Sequence, residues 1–321
     1  MKNMNTRFGR IGIAVLSATA LAQAIFCSFA SGSPKGECPL TFAMPKDAVQ
    51  AMIAACEKND VNALLGMFGP EGKDIIQSGD PSDDADRRAR FAKSAHEKYK
   101  LIQDTTNPDK MFVSIGKNDW PFPVPLARKE GRWSFDSAEG AQEIIARRIG
   151  KNELDAIEIC RGYVDAQFEY AQDHRRRGVP EYAQYIVSST GTQDGLYWET
   201  GKDGVECQVP KGFADAAVGM SMENQEPYHG YYFRILTAQG PEAHGGAVNY
   251  LVNGSMIGGF ALVAWPAEYG VSGIQTFMVN HDGTVYEADL GADTVRNAAE
   301  MTEFNPDDPS WHPVQPESIV K

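Results

Sequence analysis

The sequence predicts an α+β protein of two domains joined by a long helix. Three observations carry that prediction. Apolar residues recur at helical spacing through most of the chain up to residue 173. From Tyr185 onward, short apolar runs alternate with Gly-containing turns, the pattern of a β-rich unit. A chain of 321 residues also has room for about two domains of ordinary size.

The first thirty residues read as an export signal. Lys2, Arg7 and Arg10 form a positive start, Ile11 to Ala30 is largely apolar, and Ser28-Phe29-Ala30 places small residues for cleavage before Ser31. An uncleaved membrane helix is the competing reading, because the apolar stretch is near twenty residues. The expectation is a periplasmic or extracellular mature protein that does not span a membrane. Cleavage removes three of the 30 basic residues and none of the 43 acidic ones, taking the formal charge from −13 to −16. Such a chain is a poor partner for nucleic acid, whose phosphates need clustered Lys and Arg.

Residues 31–42 read as a linker and 43–150 as the first domain. Pro45 opens a helix that puts Val49, Met52, Ile53 and Cys56 on one face. Asn59-Asp60 breaks it, and Asp60 is placed to cap a second helix carrying Val61, Leu64, Leu65 and Phe68. Residues 70–84 read as loop, Ala85 to Leu101 as a charged helix, and Met111 to Ile115 as a strand. Val124 to Arg128 and Arg132 to Phe135 form a hairpin around Lys129-Glu130-Gly131, and Ala138 to Ile149 is helical again. This order, ending in Gly-Arg-Trp-Ser-Phe-Asp, resembles a nuclear-transport-factor-2-like cone. That resemblance implies a curved sheet wrapped on a helix around an apolar pocket, with Trp120 and Trp133 as core or pocket wall. Asp104, Asp109 and Asp119 sit in turn-like contexts, and His96 is a surface residue of the charged helix.

Residues 151–178 read as the connecting helix. Leu154, Ile157, Cys160, Val164, Phe168 and Ala171 keep its 3- and 4-residue spacing, and the basic run His174 to Arg177 suits a helix C-terminus before Gly178. Residues 179–305 are the β-rich domain, with a small helix at Phe213 to Met220 and a tail over 306–321. Its strands are Tyr231 to Leu236, Phe260 to Ala264 and Thr276 to Val279, and Asn280-His281-Asp282-Gly283 makes a hairpin turn.

The stretches AIEICRGYVDAQFEYA, QDGLYW, YHGYYFRILTAQGPEAHGGAVNY, GFALVAWPAEYGVSGIQTFMVNHDGTVYEADLG and FNPDDPSW resemble the bacterial secreted family called domain of unknown function 2950. The chain departs from the family pattern after QDGLYW, at Gly204 to Pro210, so Cys207 inherits no family-wide role. The resemblance implies no activity, cofactor or catalytic residue. The strand order also resembles, loosely, the globular head of type IV pilin-like proteins.

Chemistry-bearing patterns are sparse. There is no His-Glu-x-x-His, no Gly-x-Ser-x-Gly, no phosphate-binding glycine loop and no EF-hand. No cofactor is expected. Trp198, Tyr231, Trp265 and Tyr269, with His229 and His244, are the candidate binding residues, since amphipathic rings face glycans and peptides as readily as they pack cores. Asp194 and Asp203 precede glycines in turns and are weak Ca²⁺ candidates. Four cysteines follow the signal segment, and Cys38–Cys56 with Cys160–Cys207 is the pairing that keeps any disulfides local. The sequence-level expectation is a binding or scaffold module for an envelope protein or cell-wall glycan. The alternative is a periplasmic hydrolase or other pocket enzyme working through His229, His244 and acidic neighbours.

Overall fold

A computed structural model describes residues 39–176, 178–198, 207, 209–217, 226–306 and 309–315. Residues 1–30, read above as an export signal, Cys38 and Asp203 lie outside the described residues. Residues Cys38–Lys321 form one contact-dense unit, and its buried side chains fall into two clusters.

The first cluster is built on the helices α1 (Pro45–Glu57), α2 (Val61–Phe68), α3 (Lys73–Ile76) and α4 (Pro81–Glu97). The anticipated inward face of α1 is buried, from Val49 through Met52 and Ile53 to Cys56. Asn59 closes the break with a left-handed backbone (φ 51°), which its short polar side chain tolerates. Asp60 then caps α2 by accepting the Ala63 N–H at 3.0 Å. The segment expected to be loop contains a short 3-10 turn at Pro70–Gly72 followed by α3. Helix α4 begins at Pro81 rather than Ala85, because Asp80 caps Ser82 and Asp83 and proline suits the first helical position. It also ends early. Residues from Tyr99 onward become strand β1 (Tyr99–Gln103), drawn out by antiparallel pairing with β2 (Lys110–Ile115). The sheet is completed by β3 (Trp120–Pro121), β4 (Leu126–Lys129) and β5 (Arg132–Phe135), in the order β1-β2-β4-β5 with β3 beside β2. The anticipated hairpin turns through Glu130 and Gly131, both at positive φ.

The two helices expected on either side of residue 150 are one. Helix α5 runs unbroken from Ser137 to Asp173, 37 residues. At about 1.5 Å per residue it is roughly 55 Å long. Its first turns pack beside the first cluster: the Ser137 hydroxyl donates to the Phe68 carbonyl at 2.6 Å, and Gly140 lies flush against Val124. Its later turns carry Ala156, Cys160, Tyr163, Val164 and Gln167 into the second cluster.

Beyond α5 come a short hairpin, β6 (Arg175–Arg176) with β7 (Val179–Pro180), and a parallel pair, β8 (Tyr185–Val187) with β9 (Gly195–Tyr197). Helix α6 (Lys211–Asp215) is shorter than the helix expected there, and residues 218–220 lie outside the described residues. The main sheet pairs β10 (Tyr231–Leu236), β15 (Ala261–Pro266), β16 (Gln275–Asn280), β17 (Val285–Asp289) and β19 (His312–Pro313), every neighbour antiparallel. Between β10 and β15 lie β11 (Ala238–Gln239), β12 (Val248–Asn249) and the hairpin β13 (Leu251–Val252)–β14 (Ser255–Met256). Strand β18 (Glu303–Phe304) pairs with β11. Helix α5 packs on β15, β16 and β17, and α7 (Thr294–Glu300) packs on β15. Arg234, on the face opposite Tyr231, donates to the α7 carbonyls of Ala298 and Ala299 and to that of Met301. The near-continuous apolar runs of β15 and β16 follow from being covered on both faces.

The expected Cys160–Cys207 disulfide is not formed, and the expected Cys38–Cys56 pairing rests on Cys38, outside the described residues. Cys56, Cys160 and Cys207 are free thiols. Cys160 is buried in the core-facing side of α5, while the Cys207 thiol donates to the Trp198 carbonyl at 2.9 Å. Burial pushes the Cys56 thiol up to about 11 and the Cys160 thiol up to about 12.

Candidate functional site

The candidate binding residues of the second lobe do not form a site. Tyr231 and Trp265 are 0% exposed and Trp198 is 8% exposed. Alternation puts Tyr231 on the face covered by α5, where its hydroxyl donates to the Gln275 carbonyl at 2.9 Å. Trp265 lies on the other face beneath the Arg234 guanidinium, 5.8 Å from the ring centre. These rings pack the core. The Tyr269 hydroxyl is spent on Asp289 at 2.9 Å.

The histidines are separated too. His229 occupies the tight turn before β10, at φ 50°, and its Nδ1 lies 2.6 Å from an Asp155 carboxylate oxygen on α5. Burial works against the charged Asp155, but Lys151 and His229 outweigh it and hold its carboxyl below the usual range. His244 is exposed in the loop after β11, which its carbonyl closes by accepting Gln239 Nε2 at 2.9 Å. The six residues of β10, about 17 Å of extended chain, lie between these two positions. His229 and His244 therefore do not converge. Asp194 is consumed by its own turn, accepting Ser189 N–H at 2.7 Å and the Thr192 hydroxyl at 2.6 Å. Among the described residues no group of three His, Cys, Asp or Glu side chains is placed to hold a metal.

What the fold does build is a cavity of about 310 Å³ in the first lobe, at the lower end of small-molecule sites. Met52 and Cys56 of α1 and Leu64 and Phe68 of α2 form its apolar floor. Ile75 and Ile76 of α3, Phe122 and Pro123 after β3, and Ile144 of α5 close the sides. The rings of Phe91 and Phe122 meet at 5.4 Å, and those of Trp120 and Phe122 at 6.3 Å. Trp120 stands at the rim, 47% exposed, with the Arg147 guanidinium 5.8 Å from its ring. Of the two tryptophans expected as core or pocket wall, Trp120 lines the cavity and Trp133 is buried. Asp104, Asp109 and Asp119 do not line it. They bind Thr106 and Asn107, Arg128, and Lys98 with Lys100, respectively.

Sequence reasoning missed the polar part of this site. Helix α4 reads as a charged helix with Phe91, Ala95 and Tyr99 inward, yet its buried stripe is Asp84, Arg88, Ala92 and Ala95. Asp84 accepts the Ser78 N–H through both oxygens, at 3.0 and 3.2 Å; the Ser78 side chain first, then that N–H and the Arg88 and Arg87 charges, hold its carboxyl below the usual range. Arg88 is 8% exposed. Its Nε donates to the Asn59 side chain at 2.6 Å and its Nη1 to the Ile76 carbonyl at 3.0 Å. Asp84 and Arg88 stand four residues apart on one helix, the spacing of an ion pair, but each is turned to a different partner. The only available signal was the i, i+4, i+8, i+11 spacing of residues 84, 88, 92 and 95, which runs through two charged residues.

Fold and site together define a mixed α/β protein with antiparallel sheets on two stretches of one long helix, and an aromatic-walled cavity in the first lobe. The chain belongs to the family described as "Protein of unknown function (DUF2950)", whose model matches residues 40–314. No curated protein and no solved structure gives a significant match. No helix among the described residues is long and apolar enough to cross a membrane.

Proposed function

We propose that this protein is an exported binding or scaffold module of the bacterial cell envelope, and that the first-lobe cavity is its binding site. The observation that carries this reading is the open apolar cavity with an exposed tryptophan at its rim. Large exposed rings beside an apolar hollow are costly unless something covers them. Helices packed on a sheet around that hollow support the cone-like reading of the first lobe. A long helix laid on an antiparallel sheet supports the pilin-head-like reading of the second. The charged start, apolar stretch and small residues before Ser31 support export.

The test is binding of a neutral apolar probe, 1-decanol, to the mature chain, followed by calorimetry and tryptophan fluorescence. Saturable binding that weakens about tenfold in Trp120→Ala is expected. Binding indifferent to Trp120 places the site elsewhere. Mass spectrometry of the periplasmic fraction checks export, with a chain starting at Ser31 as the expected product.

The alternative, a pocket enzyme of the second lobe, now rests on the oriented His229–Asp155 pair alone.

A further inference from the structure

We infer that the cavity takes an amphipathic anion, a carboxylate on an apolar body, held head-inward by Arg88. This rests on the cavity being the binding site and adds the chemical class of its occupant.

One guanidinium in the cavity wall is incompletely bonded. Arg88 is almost wholly buried, and no carboxylate lies within ion-pair distance of it among the described residues. Two of its three nitrogens are spent on neutral acceptors, the Asn59 amide oxygen and the Ile76 carbonyl. Its Nη2 makes no hydrogen bond among the described residues. Nη2 is not among the fully buried unpartnered atoms and keeps access to the cavity space, while the fold fixes the guanidinium at both of its other nitrogens. The two neighbouring arginines are paired: Arg87, which also lines the cavity, and Arg90 reach Asp83 at 2.6 and 3.9 Å.

Two acids, Asp74 and Asp84, also line the cavity, and the Asp84 charge acts on Arg88 from beyond ion-pair distance. Both oxygens of Asp84 are committed to the Ser78 N–H. A ligand carboxylate oxygen at Nη2 would make a charge-assisted bond, about twice as strong as a neutral one. Its apolar remainder would then run along Phe91, Phe122 and Ile144 towards Trp120 at the rim. A guanidinium at the wall and rings at the mouth select for an anionic head and an uncharged tail together.

Decanoate and 1-decanol separate this inference from the reading beneath it. Calorimetry on the mature wild-type chain is expected to show decanoate binding at least about tenfold tighter than decanol. Arg88→Gln is expected to abolish that preference, lowering decanoate affinity about tenfold more than decanol affinity. Arg88→Lys, which keeps the charge but loses the fork, is expected to retain part of it. Equal wild-type affinity for the two probes overturns the anion inference and leaves the cavity as an apolar site. A decanoate preference that survives in folded Arg88→Gln also overturns it, because the charge then acts from elsewhere. Failure of both probes to bind overturns the cavity reading itself. The wild-type comparison stands even if Arg88→Gln does not fold.

Discussion

Asp119 shows how much a single exposed side chain can reorganise. It sits at φ 52° in the turn before β3, and Lys98 at the end of α4 and Lys100 in β1 both donate to it, holding its carboxyl down at about 2. An unfolded aspartate titrates near 3.9. The folded form thus binds its proton less readily than the unfolded form, and the linked stabilisation is complete above the unfolded value. It is lost as pH falls from about 4 towards 2. Urea midpoints of wild type and Asp119→Asn should differ by a constant amount between pH 5 and 7, and the gap should close between pH 4 and 2. Asparagine keeps the left-handed backbone acceptable, so the difference reports charge and not geometry. A gap that persists unchanged at pH 2 would contradict the assignment. The sequence placed Asp119 correctly in a turn, but its two lysine partners come together only through the pairing of β1 and β2. Arg88 was illegible for a similar reason. Its partners are 29 and 12 residues away, and a basic residue on a charged helix reads as solvated until the chain closes over it.

At the level of elements, α5 is the clearest departure from the periodicity. Gly150 and the polar run after it read as a boundary, yet the helix continues because a single glycine costs only about 1 kcal/mol and both flanking stretches are held by packing. Its glycines are not equivalent. A Cβ at Gly150 meets nothing within 4 Å, whereas one at Gly140 would lie 2.6 Å from the buried Val124 side chain. Gly150→Ala should therefore stabilise by about 0.5–1 kcal/mol through helix propensity. Gly140→Ala should destabilise by about 1–3 kcal/mol through overpacking, despite the same propensity gain. Chemical denaturation checks both, and changes of equal sign would refute the distinction. Elements with strong local signals were legible: the α1 face, the Asp60 cap, and the strands β10, β15 and β16. Those whose state depends on a partner were not. Tyr99 to Leu101 continues a helical pattern but is captured by β2, and α3 hides in a Gly- and Pro-containing stretch.

Across the whole molecule, α5 supplies residues from Ala156 onward to the second apolar cluster and touches the first lobe through Ser137, Gly140 and Ile144. Gly150→Pro would remove a helical hydrogen bond and set the ring against the carbonyl of residue 146, at a cost of about 3 kcal/mol or more. Scanning calorimetry should then resolve two transitions where the wild type shows one. A single transition in the variant would mean the clusters are coupled by something other than the helix. The sequence anticipated two clusters and a helix between them, but not that the helix begins beside the first. That shared rod makes the spacing between the lobes a matter of phase. Each residue added or lost near Gly150 turns one lobe against the other by about 100°. Insertions there act as rotations before they act as extensions, and whole turns are the steps in which the span can drift without re-aiming the cavity.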